Sequence, residues 1–343
     1  MDRSIISSLA LTAGIHYMGV SANLQKPNIA HNFLIAHDAQ PSLITVSNAG
    51  IPAFLSTFID PKLIEILVSP MKAAEVVGSE VKKGDWTSET AMFSAIESTG
   101  ETSSYGDYSE NGVAGINSNF PQRQSYHYQV MTQWGEKELE RAGLAKIDFA
   151  NRLNIASILT LNKFQNKTYF FGVAGLQNYG LLNDPNLSAA IVPTTKTATE
   201  TSWANATAVE INADIQKLYK QLQTQAGGLI ELDTPMTLAM SPISEVYLTN
   251  TTIYNVNVSD ILKKNFPNLK IVTAPEYSTA SGELVQLMVD TYEGQRTADC
   301  AFTEKMRAHP IVVQSSSFKQ KKSQGTWGTI IYRPLFIAQM LGV

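Results

Sequence analysis

Some stretches of the chain show a clear hydrophobic period and others show none, with the sharpest contrast between Ser98 and Gln122. There, STGETSSYGDYSENGVAGINSNFPQ carries Gly100, Gly106, Gly112 and Gly115, the acids Glu101, Asp107 and Glu110, and neither Lys nor Arg. No helical or strand period runs through it, and loops longer than about 12–15 residues are uncommon inside compact domains. The flanks are periodic. In TAMFSAIE, Met92, Ser94 and Ile96 alternate with Ala91, Phe93 and Ala95, which predicts a mostly buried strand. In RQSYHYQVMTQW, Tyr126, Tyr128 and Val130 share one face and Ser125, His127 and Gln129 the other. The loop therefore leaves and returns between two strands, as a long β-hairpin.

Helical spacing follows. The chain from Trp134 to Gly172 predicts helices over about Gly135–Ala142 and Ile147–Tyr169. The second would run about 33 Å at roughly 1.5 Å per residue, with Phe149, Leu153, Ala156, Leu159 and Phe164 as its core arc and Ile155, Ile158 and Leu161 beside them. After a Thr-rich connector, Thr207 and Glu210 form a capping-box pair ahead of Ala208, Ile211, Ile215, Leu218 and Leu222, and Gly227-Gly228 ends the run.

Beyond it, MTLAM, a helix after Ser241-Pro242, a helix capped by Ser259 and ended near Pro267, LKIVTA and ELVQLMVD make a second α/β unit. The C-terminal PIVVQ and GTWGTIIYRPLFIAQMLGV return to strand character. Upstream, residues 1–50 read as an arm without sustained period, Asp60-Pro61 opens a short helix, and another covers Met71–Val76. The class is α+β.

A hydrophobic fraction of 44% over 343 residues is enough for about two cores, so the chain is read as soluble and globular. Lys and Arg total 26 against 30 Asp and Glu, a net charge of -4 that supplies no basic footprint for gripping nucleic acid. Cys300 is the single cysteine, which excludes an intramolecular disulfide and fits a reducing cytoplasm. The N-terminal apolar run is broken by Ser7, Ser8, Thr12, Gly14 and His16 and is not read as a secretory signal; no apolar run approaches the ~20 residues that span a bilayer.

Candidate chemistry is sparse. HExxH, GxGxxG, GxxxxGK[ST] and GxSxG are absent. Cys300 and His309 could be a nucleophile and base, but nothing around them stabilises a thiolate, and a buried small hydrophobe is the plainer reading. DYSENG from Asp107 opens like a calcium loop, yet Ser118 stands where the bidentate Glu belongs, so turn chemistry explains it better. The acids Glu136, Glu138 and Glu140 alternate with Lys137 and Arg141 as a solvated helix face, and His127 among tyrosines reads as a structural or interface histidine. No catalytic residue, cofactor or metal is expected.

The order of parts, with the segments SNAGIPAFLSTFIDPKLIEILVSPMKAAEVVG, GDWTSETAMFSAIESTGETSSYGDYSENG, NFPQRQSYHYQVMTQWGEKELERAG, YFFGVAGLQNYGLLNDPNL, MRAHP and YRPLFIAQMLGV, resembles the major capsid proteins of tailed bacteriophages, the Hong Kong ninety-seven type coat fold that encapsulin shells share. The resemblance runs from about Ser47 to the C-terminus. It implies an N-terminal arm and short helices over 1–85, an extended-loop hairpin with flanking strands over 86–134, and a peripheral domain with a spine helix over 135–195. An axial domain over 196–304 and a return to the peripheral domain over 305–343 complete it, the tail closing the peripheral sheet.

The resemblance also implies that the extended loop lies on a neighbouring subunit, with Glu101, Tyr105, Asp107, Tyr108, Glu110, Val113, Ile116, Phe120 and Arg123 at the interface. The implied partners are copies of the chain itself, as pentamers and hexamers of an icosahedral shell, with portal, scaffolding or decoration proteins. The shell would enclose double-stranded DNA without sequence-specific binding and without a membrane, assembling in the bacterial cytoplasm and persisting in the virion. Some relatives weld this loop to the next subunit through a lysine, but no Lys lies between Lys83 and Lys137, so no such bond is expected. Two other readings remain, an encapsulin-like compartment and an enzyme with residues 98–122 as a lid.

Overall fold

The computed structural model describes residues 70–343 apart from 94, 145–147 and 198, all within the unit Glu65–Val343. The arm and the Asp60 helix lie outside the described residues. In chain order come α1 (Ala73–Val77), β1 (Glu80–Lys82), β2 (Thr90–Met92), β3 (Ala95–Glu101), β4 (Val113–Asn119), β5 (Gln122–Gln124) and β6 (Tyr126–Gly135). Then follow α2 (Glu136–Leu144), α3 (Phe149–Phe171), α4 (Ala208–Gln225), β7 (Met236–Met240), α5 (Pro242–Tyr247), α6 (Val258–Asn265), β8 (Leu269–Thr273), β9 (Ser278–Thr279) and β10 (Gly282–Val289). The chain closes with β11 (Thr291–Tyr292), β12 (Gln295–Arg296), β13 (Ala298–Ala308), β14 (Val312–Val313), β15 (Ser317–Ile331) and β16 (Ile337–Leu341).

Among the described residues one large sheet orders β1-β13-β15-β14 with β6 also on β15, and another orders β16-β10-β7-β8 with β9 on β10. In the second, β7 and β8 run parallel and β10 is antiparallel to both of its long neighbours. Every residue of β7 is buried because both faces of the sheet are covered. On one side Ile211, Leu218 and Leu222 of α4 pack with Leu238, Val285 and Met340; on the other Ala239, Val272 and Met288 meet Val76, Phe170 and Tyr277.

Local chemistry sets the helix ends. Thr207 and Glu210 exchange hydrogen bonds at the start of α4 as a capping box, and Asp148 accepts from the Asn151 N–H to open α3. Hydrogen bonds from Thr207 and Thr197 hold the Glu210 carboxyl down at about 2. The α6 cap falls on Asn257 rather than Ser259. The Thr-rich connector is clamped from below: fully buried Asp214 of α4 accepts from the Lys196 ammonium, from Trp203 Nε1 at 2.9 Å and from the Thr194 N–H at 3.0 Å.

Three further expectations are corrected. TAMFSAIE is not one buried strand: β2 and β3 are separate, and Met92 and Ile96 are 64% and 67% exposed, because among the described strands β2 pairs only with β5 and β3 only with β4, outside both large sheets. The tail does not close the first sheet alone. β15 belongs there, but β16 crosses to the second sheet and pairs with β10 from Ile337↔Met288 to Leu341↔Leu284. A turn over Pro334–Phe336 redirects the chain between them.

The third correction concerns α3. Phe149, Leu153 and Leu159 are half-buried, and Ala156 and Phe164 are exposed; the buried stripe is Ser157, Leu161, Gln165 and Thr168, with Asn166, Tyr169 and Phe170. The cause is the surface it lies on. β15 presents Lys322, Gln324 and Thr326 to the helix, so the contact is a polar ladder: Lys322 Nζ donates to Asn154 Oδ1 at 2.9 Å and Ser157 Oγ at 2.7 Å, Gln324 Nε2 to Asn162 Oδ1 at 3.2 Å, and the Thr168 and Thr326 hydroxyls pair at 3.3 Å. Burial holds the Lys322 ammonium below the usual lysine range.

Candidate functional site

The hairpin is built in two parts, an anchored base and a bare ribbon. At the base, β2 and β5 pair from Thr90↔Gln124 to Met92↔Gln122, and the Phe93 N–H donates to the Pro121 carbonyl at 3.1 Å. The Gln124 N–H donates to the Gln177 carbonyl at 2.9 Å, and Asn178 Nδ2 to the Gln124 carbonyl at 3.0 Å. These bonds fix the base to the segment that wraps the end of α3.

Beyond the base, β3 and β4 pair in register from Ala95↔Asn119 to Glu101↔Val113. Every residue of β4 is exposed. Seven residues at about 3.4 Å each carry the ribbon roughly 24 Å out. The tip is a turn system in which Ser103 Oγ donates to the Asn111 carbonyl at 2.6 Å and the Ser109 N–H to the Gly106 carbonyl at 2.9 Å. Gly112, at φ +99°, takes a backbone conformation that side-chain-bearing residues avoid.

The predicted interface residues divide cleanly. Glu101, Tyr105, Asp107, Tyr108, Glu110, Val113, Ile116 and Phe120 are all exposed, Tyr105 by 92% and Val113 by 75%. Arg123 does not belong with them, and its placement is a correction. It is buried at the base, ion-paired with the buried Asp184, with its guanidinium 4.6 Å from the centre of the Tyr179 ring. An exposed position would leave Asp184 buried without its cation, so Arg123 anchors the hairpin within its own chain.

Sequence reasoning missed other bare apolar surface. Ile253 and Tyr254, 95% and 86% exposed, sit in the loop between α5 and α6, and Ile311, Val312 and Val313 edge the first sheet at β14. An apolar pair inside the polar run Asn250–Asn257, and an apolar triplet after Pro310, are the signals that could have exposed them.

The chemical candidates fall into structural surroundings. Cys300 is fully buried, its thiol pushed up by burial, with Thr329 Oγ1 3.8 Å away. His309 lies 3.0 Å from Ser323 Oγ, and His127 packs edge-on to Trp86 at 4.5 Å. Among the described residues no group of three or more His, Cys, Asp or Glu is placed to hold a metal, and no helix is long and apolar enough to cross a membrane.

Among the described residues, then, the hairpin is anchored at its base and leaves Ile96, Val113, Ile116 and Phe120 bare, and no metal-binding cluster is placed. Among solved structures, the capsid of Myoviridae phage XM1 superposes with a TM-score of 0.72 at 12% identity, over 85% of this chain and 99% of that one. The capsid of a native GTA particle gives 0.60 at 10% identity, over 88% and 99%, and Mycobacterium phage Ogopogo 0.57 at 9%, over 84% and 96%. At these identities the likeness establishes the α+β phage coat fold. No curated protein sequence matches. The family model for the Pa193 gp26 major capsid protein matches residues 42–342, nearly the whole chain, and with the fold and the bare hairpin it makes this a structural capsid-shell protein, a member of the Pa193 gp26 major capsid protein family.

Proposed function

We propose that copies of the chain assemble as pentamers and hexamers into an icosahedral shell around the double-stranded DNA of a tailed bacteriophage, with the β3–β4 ribbon of each copy lying on the next. The ribbon carries the reading. An isolated two-stranded hairpin is marginal in water, and this one leaves Ile96, Val113, Ile116 and Phe120 bare, so a surface outside its own chain must complete it. A patch that meets a different patch on the next copy is a heterologous contact, which closes a ring when the rotation permits. A compliant arm tolerates both five- and six-membered closure.

In this reading 1–85 serve as arm and short helices, 86–134 as extended loop, and 135–195 with most of 305–343 as the peripheral domain. Residues 196–304 serve as the axial domain, joined by β16. The subunit acts by assembly and not by catalysis. Its net charge of -4 gives packaged DNA, itself a polyanion, a wall that does not bind it electrostatically. Assembly takes place in the host cytoplasm with portal, scaffolding or decoration proteins as partners.

Deleting residues 100–118 tests the reading. The deletion should leave a folded subunit, checked by circular dichroism, that forms no shells by light scattering and electron microscopy. Normal shells from the deleted chain would exclude the ribbon from assembly.

A further inference from the structure

The ribbon and its tip carry acid without base, since Glu101, Asp107 and Glu110 are all exposed and residues 98–122 hold no Lys or Arg. The opposite sign stands on the first sheet. Side chains of a strand alternate between faces, and Lys322 and Gln324 of β15 reach α3, so Lys319 and Lys321 stand on the other face. Their register partners on β6 are Gln133 and Met131. Arg307 of β13 sits opposite Ser323 on that same face, with its guanidinium 5.5 Å from the centre of the Trp86 ring.

This stripe is open. Gln129, Gln133 and Arg307 are exposed, Met131 is 54% exposed between them, and Lys319 and Lys321 are half-buried, each still partly open to solvent. Resting on the reading that the ribbon docks on another copy, we propose that the seat of the ribbon is this stripe, Lys319, Lys321 and Arg307 around Met131, on a second copy of the chain. Charge and length both fit. Three carboxylates face three cations, and Met131 offers apolar contact to the side chains of β4. The ten residues of β6 are long enough for a seven-residue arm of the ribbon, about 24 Å, to lie along them. Opposite charges on the two surfaces steer encounter and fix register, and they reject a ribbon laid on a like-charged surface.

Charge exchange in the full-length chain tests the seat. Lys319→Glu with Lys321→Glu should slow shell formation by on the order of tenfold, and so should Glu101→Lys with Asp107→Lys and Glu110→Lys. Uniting both sets in one chain should restore the rate, and added salt should slow the parent. If the double reversal fails to fold by circular dichroism, Lys319→Gln with Lys321→Gln should still slow assembly several-fold. Parental rates for folded Lys319 and Lys321 variants, or no recovery in the united variant, would overturn the seat. If deletion of 100–118 still blocks shells in that case, the ribbon docks elsewhere; if the deletion is also silent, the docking reading itself falls.

Discussion

At Gly180 there is no room for a methyl group. A Cβ there would stand 2.3 Å from the Phe170 carbonyl carbon and oxygen and 2.4 Å from the Phe171 nitrogen, backbone atoms that cannot swing aside. At Gly328 the obstacle is the Tyr179 carbonyl oxygen at 2.3 Å, with φ at +71° besides. Together they let 172–183 fold back on the end of α3, where the Leu181 and Leu182 N–H groups donate to the Tyr169 and Phe170 carbonyls at 2.8 and 3.0 Å. The same segment carries Tyr179 and leads to Asp184, the two groups that hold Arg123. Gly180→Ala should therefore destabilise the subunit by about 3 kcal/mol or more in denaturant melts, the upper range of overpacking costs. A loss under about 1 kcal/mol would mean that this turn yields freely.

The helix α3 shows how an element's amphipathicity depends on its partner. Its sequence offers an apolar arc, yet the face that packs is a polar ladder with one fully buried leucine, because β15 meets it with Lys, Gln and Thr. Truncating Leu161 to Ala should cost roughly 2–5 kcal/mol, whereas Leu153→Ala, half-buried, should cost clearly less. Denaturant melts of the two variants would check the order, and a larger loss at Leu153 would contradict the burial. The helix also leaves apolar residues outside, such as Ile155 at 55% exposure. By contrast α4 was legible throughout: the capping box, the three-and-four spacing and the glycine stop all agree, since its partner is the apolar face of the second sheet.

For the whole molecule, stability is unevenly distributed. The two large sheets, α4 and the end of α3 share buried cores, while β3 and β4 hold each other by backbone bonds open to solvent. Their amides in 95–101 and 113–119 should exchange with solvent rapidly in the isolated subunit and become protected in assembled shells, measured by hydrogen exchange. Strong protection in the isolated subunit would show that the ribbon needs no partner. The wiring runs the same way. β16 carries the chain terminus out of the β15 sheet into the β10 sheet, so the units proposed as peripheral and axial are stitched by strand exchange as well as by linkers.

The sequence alone determined what depends on near neighbours. That includes the α+β class, the long helices and the Thr207 capping box, the β6 and β7 strands, and the presence of a long unburied hairpin whose glycines and acids deny it a core. It also carried the family likeness, through segments such as YFFGVAGLQNYGLLNDPNL, whose Gly172 and Gly180 prove to be places where backbone meets backbone. Only the tertiary structure decided what depends on distant partners. Arg123 turned inward because Asp184 awaits it 61 positions away, the stripe of α3 that packs was chosen by β15, and β16 took its place beside β10 in the second sheet. Periodicity reports how a segment could be buried; which face is buried, and by what, is fixed only when another segment arrives to cover it.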